Sequence, residues 1–567
     1  MGPLPEYGQK GGSVQEARFR KVDGFVTPQL WPRAGSISQR LRIIKVPSTV
    51  HSSIVQDEHY PTFGGAAPWT PCIYQMLPMA ARSPHAPRLT PHGSPMSTIH
   101  QYQPPLTFIP PAFNGGVLRL TQALLPILLR RNHIRSIDVS HLDRLHSAYR
   151  AFQRGDTRLI LAFRHPSVDD PLVLFRVVSH HLAQADRRHT PSLSKPFHSH
   201  FLYDRGIPLW AGDWVGWLYS QLGGVPIHRG KLDMQGLRTA RQLIGSGQFP
   251  FAVAPEGATN GHNDILSPLE PGVAQLAFWA AEDLQTAGRS PEVMVLPIGL
   301  RYHYLQAPWT AIDRLLTTLE TNVGLSPLTQ PDRHLPSPPS LTTDPDRCRY
   351  QRLYRLGLHL LDHLEQFYRR FYHCDFPPLD PDPAASSLDL PIRLQRLLNQ
   401  ALGVAEVYFG LKGKGDIISR CRRLEQAGWD WIYRDDLDDR ARLSALERGL
   451  ADRVAEEAAL RLWHMRIVES FVAVTGSYVR EQPSADRFAE TSVLIWDLIT
   501  RLTGEGNPLV RPQLGPKRVT VTIGEPLSIA PYWSQYQENR RGAKAAITHL
   551  TQDLQTALTH LLPRSDE

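Results

Sequence analysis

The sequence predicts an α/β fold with a largely parallel central sheet flanked by helices, a large and mostly helical insertion or cap, and a disordered N-terminal segment. Three observations predict this fold class. Between residues 157 and 304, short apolar runs alternate with segments of helical periodicity, as in α/β layered domains. Between residues 311 and 512, helical patterns prevail. The first 110 residues hold 16 of the 49 prolines and show little periodicity, which is typical of disorder.

The elements of the α/β part follow one another in alternation. Apolar runs rich in β-branched residues predict strands at 158–163, 201–203, 225–228, 249–254 and 293–298. Helical spacing predicts helices at 171–182, 213–222, 233–244 and 273–284. A late segment, 518–526, alternates polar and apolar residues like a strand that could rejoin the sheet. In such sheets we expect the functional residues where strands end.

These patterns divide the chain into four parts. The predicted parts are a proline-rich extension (1–110), an α/β domain (111–310), a mostly helical insertion with proline-rich connectors (311–512), and a terminal strand with a helix (513–567). Long helices are predicted at 350–372 and 441–474, where leucine and aromatic residues recur at three and four. The connectors at 324–346 and 375–391 are proline-rich.

The composition excludes several classes of protein. Four widely spaced cysteines (Cys72, Cys348, Cys374, Cys421) predict neither a disulfide framework nor a zinc module. No apolar stretch reaches the roughly 18 residues of a membrane span, and the first thirty residues lack a signal peptide. A cytoplasmic protein, peripheral on the membrane, is therefore expected. The segment 116–129 predicts either an interfacial helix or an ordinary core helix.

One short motif carries most of the chemical interpretation: F-R-H-P-S-V-D-D-P at residues 163–171. The predicted strand delivers His165 at its end, and Asp170 follows five positions later. On one helix these side chains would lie about 140° apart, so they can meet only if His165 lies in a turn and Asp170 begins a helix. Pro166 favours that turn. A carboxylate on one ring nitrogen lets the other act as a general base; Asp169 is the alternative partner.

Three further blocks follow at strand ends. G-G-V-P-I-H-R contains Gly223 and ends in Arg229, with Lys231 close behind; these cations suit phosphate or carboxylate groups. A-P-E-G-A-T-N-G contains Glu256 and Gly257 directly after a strand. The glycine lets a ligand approach the backbone, and the carboxylate is expected to hold Arg229 or an acceptor hydroxyl. The last block, V-L-P-I at 295–298, is expected to line an acyl channel.

In their order and spacing, these four blocks resemble the glycerolipid acyltransferase family that includes 1-acylglycerol-3-phosphate acyltransferases. The resemblance covers about 150 residues and rests on H-x4-D, G-x-x-P-I-x-R, P-E-G and V-L-P-I as they stand here. It implies acyl transfer from acyl-CoA or acyl carrier protein to a lipid alcohol at a membrane surface. His165 and Asp170 would be the catalytic pair, with no cofactor, metal or nucleic acid. The residues implied in substrate binding are Gly223, Arg229, Lys231, Glu256 and Gly257.

Two positions depart from the family pattern. Arg164 stands where asparagine is commoner, and Thr259 stands where many relatives carry arginine. The loss of a cation at 259 makes a lysophospholipid or another lipid alcohol a more plausible acceptor than lysophosphatidate. Both departures also keep open an alternative class of function, a catalytically inactive lipid-surface or scaffold protein on the same fold.

Two other residue groups have weaker interpretations. A metal-dependent hydrolase would need the clustered histidines as ligands, but their spacing fits no ligand pattern; they are His180, His181, His189, His198 and His200. Trp210, Trp214 and Trp217 follow a turn, and their spacing is compatible with a bilayer interface or with a core aromatic patch.

Overall fold

The computed structural model of the protein describes residues 100–189, 193–228, 233–289, 292–377, 389–434, 436–437, 442–471, 477–504 and 510–562. The predicted disordered extension lies almost wholly outside these residues. Among the described helices, none combines the length and the apolar character that a membrane span requires.

The core of the molecule is an eight-stranded, mostly parallel sheet. Its strands are β1 (Ile134–Ser140), β2 (Thr157–Phe163), β3 (His200–Asp204), β4 (Gly224–Ile227), β5 (Phe251–Val253), β6 (Glu292–Tyr304), β7 (Lys517–Ile523) and β8 (Leu527–Ser528). The order across the sheet is β1-β7-β6-β2-β5-β3-β4, and β8 pairs with β6. Only the β6–β7 and β6–β8 pairings are antiparallel. The predicted fold class is confirmed.

Strand β7 lies between β1 and β6, although it comes from near the end of the chain. It pairs in parallel with β1 on one side and antiparallel with β6 on the other. The predicted late strand is therefore confirmed as part of the sheet. Strand β1 was not predicted from the sequence, because most of its residues are only partly buried or exposed, and among the described strands β7 alone pairs with it.

Helices cover both faces of the sheet. They are α1 (Gly115–Arg131), α2 (Leu142–Arg154), α3 (Asp170–Arg176), α4 (Leu182–Asp186), α5 (Ile207–Ala211), α6 (Asp213–Gln221), α7 (Met234–Ser246), α8 (Gly272–Thr286), α16 (Ala530–Glu538) and α17 (Arg540–His560), with a π-helical turn, Val177–His181, joining α3 to α4. Strand β2 shows the two-sided burial: Leu159 and Leu161 belong to one buried cluster, and Ile160 and Ala162 to the other. This alternation follows from the two-residue period of a strand.

The chain between β6 and β7 forms a separate helical region. Its helices are α9 (Trp309–Asn322), α10 (Asp344–Tyr372), α11 (Asp389–Tyr408), α12 (Ile417–Ile432), α13 (Ala445–Phe471), α14 (Tyr478–Glu481) and α15 (Ala485–Thr503). Two apolar clusters stabilise this region, and the 29-residue helix α10 contributes to both. The predicted large helical region is confirmed.

Strand β6 is longer than its sequence pattern suggested. The prediction ended at residue 298, but the strand continues to Tyr304 because β7 pairs with it as far as Lys517 opposite Tyr304. Strand β2, its other neighbour, ends at Phe163 opposite Ile298. The additional residues of β6 therefore extend beyond the end of β2, next to the segment that carries His165.

Candidate active site

Two neighbouring parallel strands deliver the first site residues to the same edge of the sheet. Strand β2 ends at Phe163 and strand β5 at Val253, and Ala162 lies opposite Val253 in the register. The chain after β2 carries His165 and the chain after β5 carries Glu256. Because the carboxyl ends of parallel strands coincide, these two segments meet. The backbone N–H of His165 donates to Glu256 Oε1 over 2.7 Å.

His165 and Asp170 form a hydrogen-bonded pair. His165 Nδ1 lies 2.9 Å from Asp170 Oδ2, and the carboxyl group is fully buried while the imidazole is 20% exposed. Asp170 is the first residue of α3, and the N–H of Ser167 donates to the same oxygen over 2.8 Å. Asp170 thus accepts from the ring, and His165 Nε2 has no hydrogen-bond partner among the described residues.

The alternative partner, Asp169, faces elsewhere. Its Oδ1 accepts from Asn132 Nδ2 over 2.6 Å, at the C-terminal end of α1. Burial raises the pKa of Asp169, and the nearby Lys517 ammonium opposes that rise. Adjacent residues at the start of a helix point about 100° apart, so one of them reaches the histidine and the other reaches α1.

Tyr302, a residue that the sequence motifs do not include, completes the support of Asp170. Its hydroxyl donates to Asp170 Oδ1 over 2.5 Å. The side chain is buried, and burial, together with the charge of Asp170, raises the pKa of the phenol well above its ordinary value. The phenol therefore stays a donor. No local pattern could indicate this residue, because it lies 132 positions from Asp170 and depends on the extension of β6.

Glu256 is engaged by the protein itself. Its Oε1 accepts from the N–H of His165, and its Oε2 accepts from the N–H of Ser267 over 2.9 Å and from Asn260 Nδ2 over 3.1 Å. Burial raises the pKa of the carboxyl group, and these bonds oppose that rise. The geometry makes Glu256 a positioning residue for His165. Its contact with a substrate stays a prediction.

Arg164, one of the two departures from the family pattern, has a structural role. The guanidinium group is fully buried, and it donates to the carbonyls of His262 over 2.9 Å and Ile265 over 2.5 Å, and to that of Asn263. Arg164 directly precedes His165, so its hydrogen bonds hold the loop that follows Glu256 next to the end of β2. A buried arginine needs several acceptors, and the loop carbonyls supply them.

Only part of the second block lies within the described residues. Arg229 and Lys231 lie outside the described residues. Gly223 precedes β4 at the level of His200, which the register aligns with Phe251 and so with Ile160. That level is five residues, or roughly 16 Å, before His165 along the sheet. Gly223 is therefore a turn residue with φ +74° that lies away from His165 and Asp170, and its contact with a substrate stays a prediction.

The fourth block is part of the hydrophobic core. Val295, Leu296 and Ile298 are fully buried on β6, with Val295 in the cluster on one face of the sheet and the other two in the cluster on the opposite face. These side chains fill the space between sheet and helices. The expectation that this strand lines an acyl channel is corrected accordingly, because a central strand between two helical layers has no free face.

The helical region reaches the P-E-G turn through Arg422 of α12. Gly257 has φ +71°, and a Cβ atom there would lie 2.9 Å from Arg422 Nη2 and 2.4 Å from Glu270 Oε1. Arg422 Nε donates to Glu270 Oε1 over 2.9 Å. A guanidinium group from a remote helix thus lies beside the turn in which Thr259 replaces an expected arginine.

Comparison with known proteins finds one matching family. Residues 136–301 match the family model described as Acyltransferase, from within β1 to within β6, so the match contains His165, Asp170 and Glu256. No curated protein and no solved structure matches the chain. Over residues 136–301 the chain is thus similar to the Acyltransferase family, which is consistent with the glycerolipid acyltransferases.

Proposed function

We propose that this protein moves a fatty acyl group from acyl-CoA or acyl carrier protein to the hydroxyl of a lysophosphatidate, a lysophospholipid or a related lipid alcohol. The observation that carries the proposal is the pair of His165 and Asp170, joined at 2.9 Å within an acyltransferase-family domain. The thioester is a co-substrate, and the proposal includes no cofactor.

The proposed mechanism is direct transfer without an acyl-enzyme. The N–H at His165 Nδ1 donates to the Asp170 carboxylate, which leaves Nε2 unprotonated. Nε2 takes the proton of the acceptor hydroxyl as the hydroxyl oxygen attacks the thioester carbonyl carbon. A C–O bond forms, the C–S bond breaks, and the thiolate that leaves receives the proton from Nε2. The buried carboxylate stabilises the imidazolium in between. General-base catalysis of this kind contributes roughly 10²–10⁴-fold.

For the acceptor headgroup we propose the edge of the sheet where β4 and β5 end. Arg229 and Lys231 follow β4, Gly257 follows β5, and Arg422 adds a guanidinium group from α12. Arginine and lysine favour phosphate oxygens, the first as a bidentate donor and the second as a point charge. Arg422 is therefore proposed to supply the cation that Thr259 lacks.

A peripheral location on a membrane is supported by apolar residues on three neighbouring helices. The exposed side chains are Leu120, Leu124 and Ile127 on α1, Leu209 on α5, and Trp214 and Trp217 on α6, which we call the apolar surface. Backbone bonds from Ala112 and Asn114 to the end of α6 hold these helices together. Exposed leucine and tryptophan beside Arg130 and Arg131 suit an anionic lipid interface.

The test compares purified wild-type protein with the His165→Ala variant, using radiolabelled acyl-CoA and a panel of lysophospholipids. We expect the variant to lose roughly 10²–10⁴-fold in transfer rate, the contribution of a general base. His549→Ala, an exposed histidine on α17, is the matched control and should keep the wild-type rate. Equal rates for His165→Ala and wild type would contradict the proposal.

The rival function, an inactive lipid-surface or scaffold protein, leads to a different outcome. It rested on the departures at Arg164 and Thr259, and Arg164 is accounted for by its hydrogen bonds to the loop at 262–265. Vesicle binding by wild-type protein without turnover of any donor and acceptor pair would favour the rival.

A further inference from the structure

An apolar cavity lies within the helical region and borders the catalytic domain. Its walls come from α10, α11, α14, α15 and the end of α13, together with His262 of the loop after Glu256. Its volume is about 100 Å³. Cavities with apolar walls stay dry and bind apolar molecules. A hydrocarbon chain is the ligand that fits such walls.

One face of α10 forms the longest wall. The lining residues recur at three and four positions, from Tyr350 through Leu353, Gly357 and Leu360 to Leu364. Fourteen residues of α-helix extend about 21 Å. Lining residues therefore follow the helix axis over about 21 Å, and such an elongated wall suits a chain rather than a compact ring.

The middle of this face carries a glycine, Gly357, which neither packing nor backbone conformation explains. A glycine inside a helix costs about 0.5–1 kcal/mol relative to alanine. At Gly357 a Cβ atom would meet only Leu390 Cδ1, at 3.5 Å, which is ordinary contact, so neither close packing nor backbone conformation demands glycine here. Its effect is to leave space in the wall of the cavity.

The loop at 260–265 contacts both the cavity and the residues next to His165. Asn260 donates to Glu256, and Arg164 donates to the carbonyl of His262, so this loop is fixed to both neighbours of His165. The His262 ring itself lines the cavity. It is buried, and its Nδ1 lies 3.5 Å from Glu490 Oε2. Its Nε2 and the hydroxyl of Thr491, also in the lining, have no hydrogen-bond partner among the described residues. Unpaired buried groups of this kind suit a polar atom of a ligand.

We propose that this cavity binds the fatty acyl chain of one of the two substrates, with its head near His262 and its tail along α10. The inference rests on the proposed function, because acyl transfer is what brings such chains to His165. Two sources supply the same chemistry, the donor thioester and the acyl chain of the acceptor lipid. The experiment separates them by varying one chain at a time.

The test fills the cavity with the Gly357→Phe variant. We measure kcat/KM over a series of acyl-CoA chain lengths with one acceptor, and then over acceptor chain lengths with one donor. Each methylene that the phenylalanine excludes should cost about fourfold, since burying a methylene contributes about that factor. The longest chains of one series should therefore lose most, and the shortest should change little. That series identifies the source of the chain.

Gly449→Phe is the matched control, because this glycine of α13 is exposed and has open space around it. It should behave as wild type at every chain length. If folded Gly357→Phe loses activity equally at all lengths, or loses none, the inference is wrong. If Gly357→Phe does not fold, Leu364→Ala decides: a shift toward longer chains supports the inference, and an unchanged preference contradicts it.

Calorimetric titration with dodecanoate keeps this inference separate from the proposed function. Wild-type protein without transferase activity would contradict the proposed function alone. Binding of dodecanoate by wild type, weakened in Gly357→Phe and kept in Gly449→Phe, would still support the cavity as a chain site. Equal binding by all three would contradict it.

Discussion

His165 is held from two directions by buried carboxylates. Asp170 contacts its ring, and Glu256 accepts from its backbone N–H. Because Asp170 also accepts from Ser167 and Tyr302, the orientation of the ring depends on groups from three separate parts of the chain. Catalysis by proton transfer is sensitive to such orientation, since the base must lie within hydrogen-bond reach of the proton it takes.

Tyr302→Phe should therefore lower kcat without changing KM. The variant removes one donor to a buried carboxylate, a bond of about 1.5–3 kcal/mol, which corresponds to roughly 10- to 100-fold in rate. Steady-state kinetics and a melting curve check this together. Tyr304→Phe, which removes the hydroxyl of the next tyrosine on β6, should keep the wild-type kcat. A rise in KM with unchanged kcat for Tyr302→Phe would contradict a positioning role.

The sequence indicated His165 and Asp170 because their relation is local: a strand, a proline turn and a helix start decide it within six residues. It left the choice between Asp169 and Asp170 open, because both stand where the helix begins. Only the position of α1, which offers Asn132 to Asp169, distinguishes them. The partners of Glu256 were also beyond the sequence, because Glu256 lies 91 positions from His165.

Helix α1 shows how an element can satisfy two interpretations of one pattern. Leu118, Leu125 and Leu129 are buried against the core, as for an ordinary helix. Leu120 and Ile127 are 60% and 63% exposed, as for an interfacial helix. Periodicity alone could not separate the alternatives, because apolar residues lie on more than one side of this helix. Of the tryptophans, Trp214 and Trp217 are each 55% exposed, as for a bilayer interface.

The apolar surface gives a prediction at the scale of elements. We expect Leu120→Asp combined with Trp217→Ala to weaken binding to vesicles that contain anionic phospholipid by tenfold or more, since burying each side chain contributes about 1.5–3 kcal/mol. Co-sedimentation with vesicles measures this. The control, Leu446→Ser with Leu450→Ser, removes leucines that are 72% and 61% exposed on α13. An equal loss of vesicle binding in both variants would contradict a specific role of α1 and α6 in membrane binding.

The whole molecule depends on contacts between the helical region and the sheet. Arg487 of α15 donates to Asp264 over 2.9 Å, and Arg301 of β6 lies 2.9 Å from the other oxygen of the same carboxylate. Glu490 of α15 accepts from Asn263. The loop between the catalytic residues and the cavity is thus fixed from both sides, so we expect the two regions to influence one another's stability.

Buried histidines in both regions predict that acid destabilises the protein. Burial lowers the pKa of His198, in the α/β domain, from 6.5 to about 4, and burial does the same for His464 of α13. The unfolded chain therefore binds more protons below pH 6.5. The free energy of unfolding should fall as the pH drops from about 6.5 to about 4, by up to about 1.4 kcal/mol per pH unit for each histidine.

Denaturant unfolding at several pH values checks this, with His198→Gln for comparison. Buried carboxyl groups such as Glu256, whose pKa is raised, have the opposite sign: their contribution to stability is present at low pH and is lost as the pH rises. The difference between wild type and His198→Gln removes that background. We expect a shallower dependence below pH 6.5 in the variant, and parallel curves would contradict the assignment to His198.

By itself the sequence determined the alternation of strands and helices, the helical character of the long segment after β6, and the turn that brings His165 to the acids at the start of α3. Each of these follows from periodicity or from contacts within a few residues. Tertiary structure alone decided that β7 lies between β1 and β6, that Tyr302 and Glu256 hold Asp170 and His165, and that α10 lines a cavity beside the loop of His262. The physical reason is that these arrangements join segments far apart in the chain, whose meeting depends on the register and packing of the whole sheet.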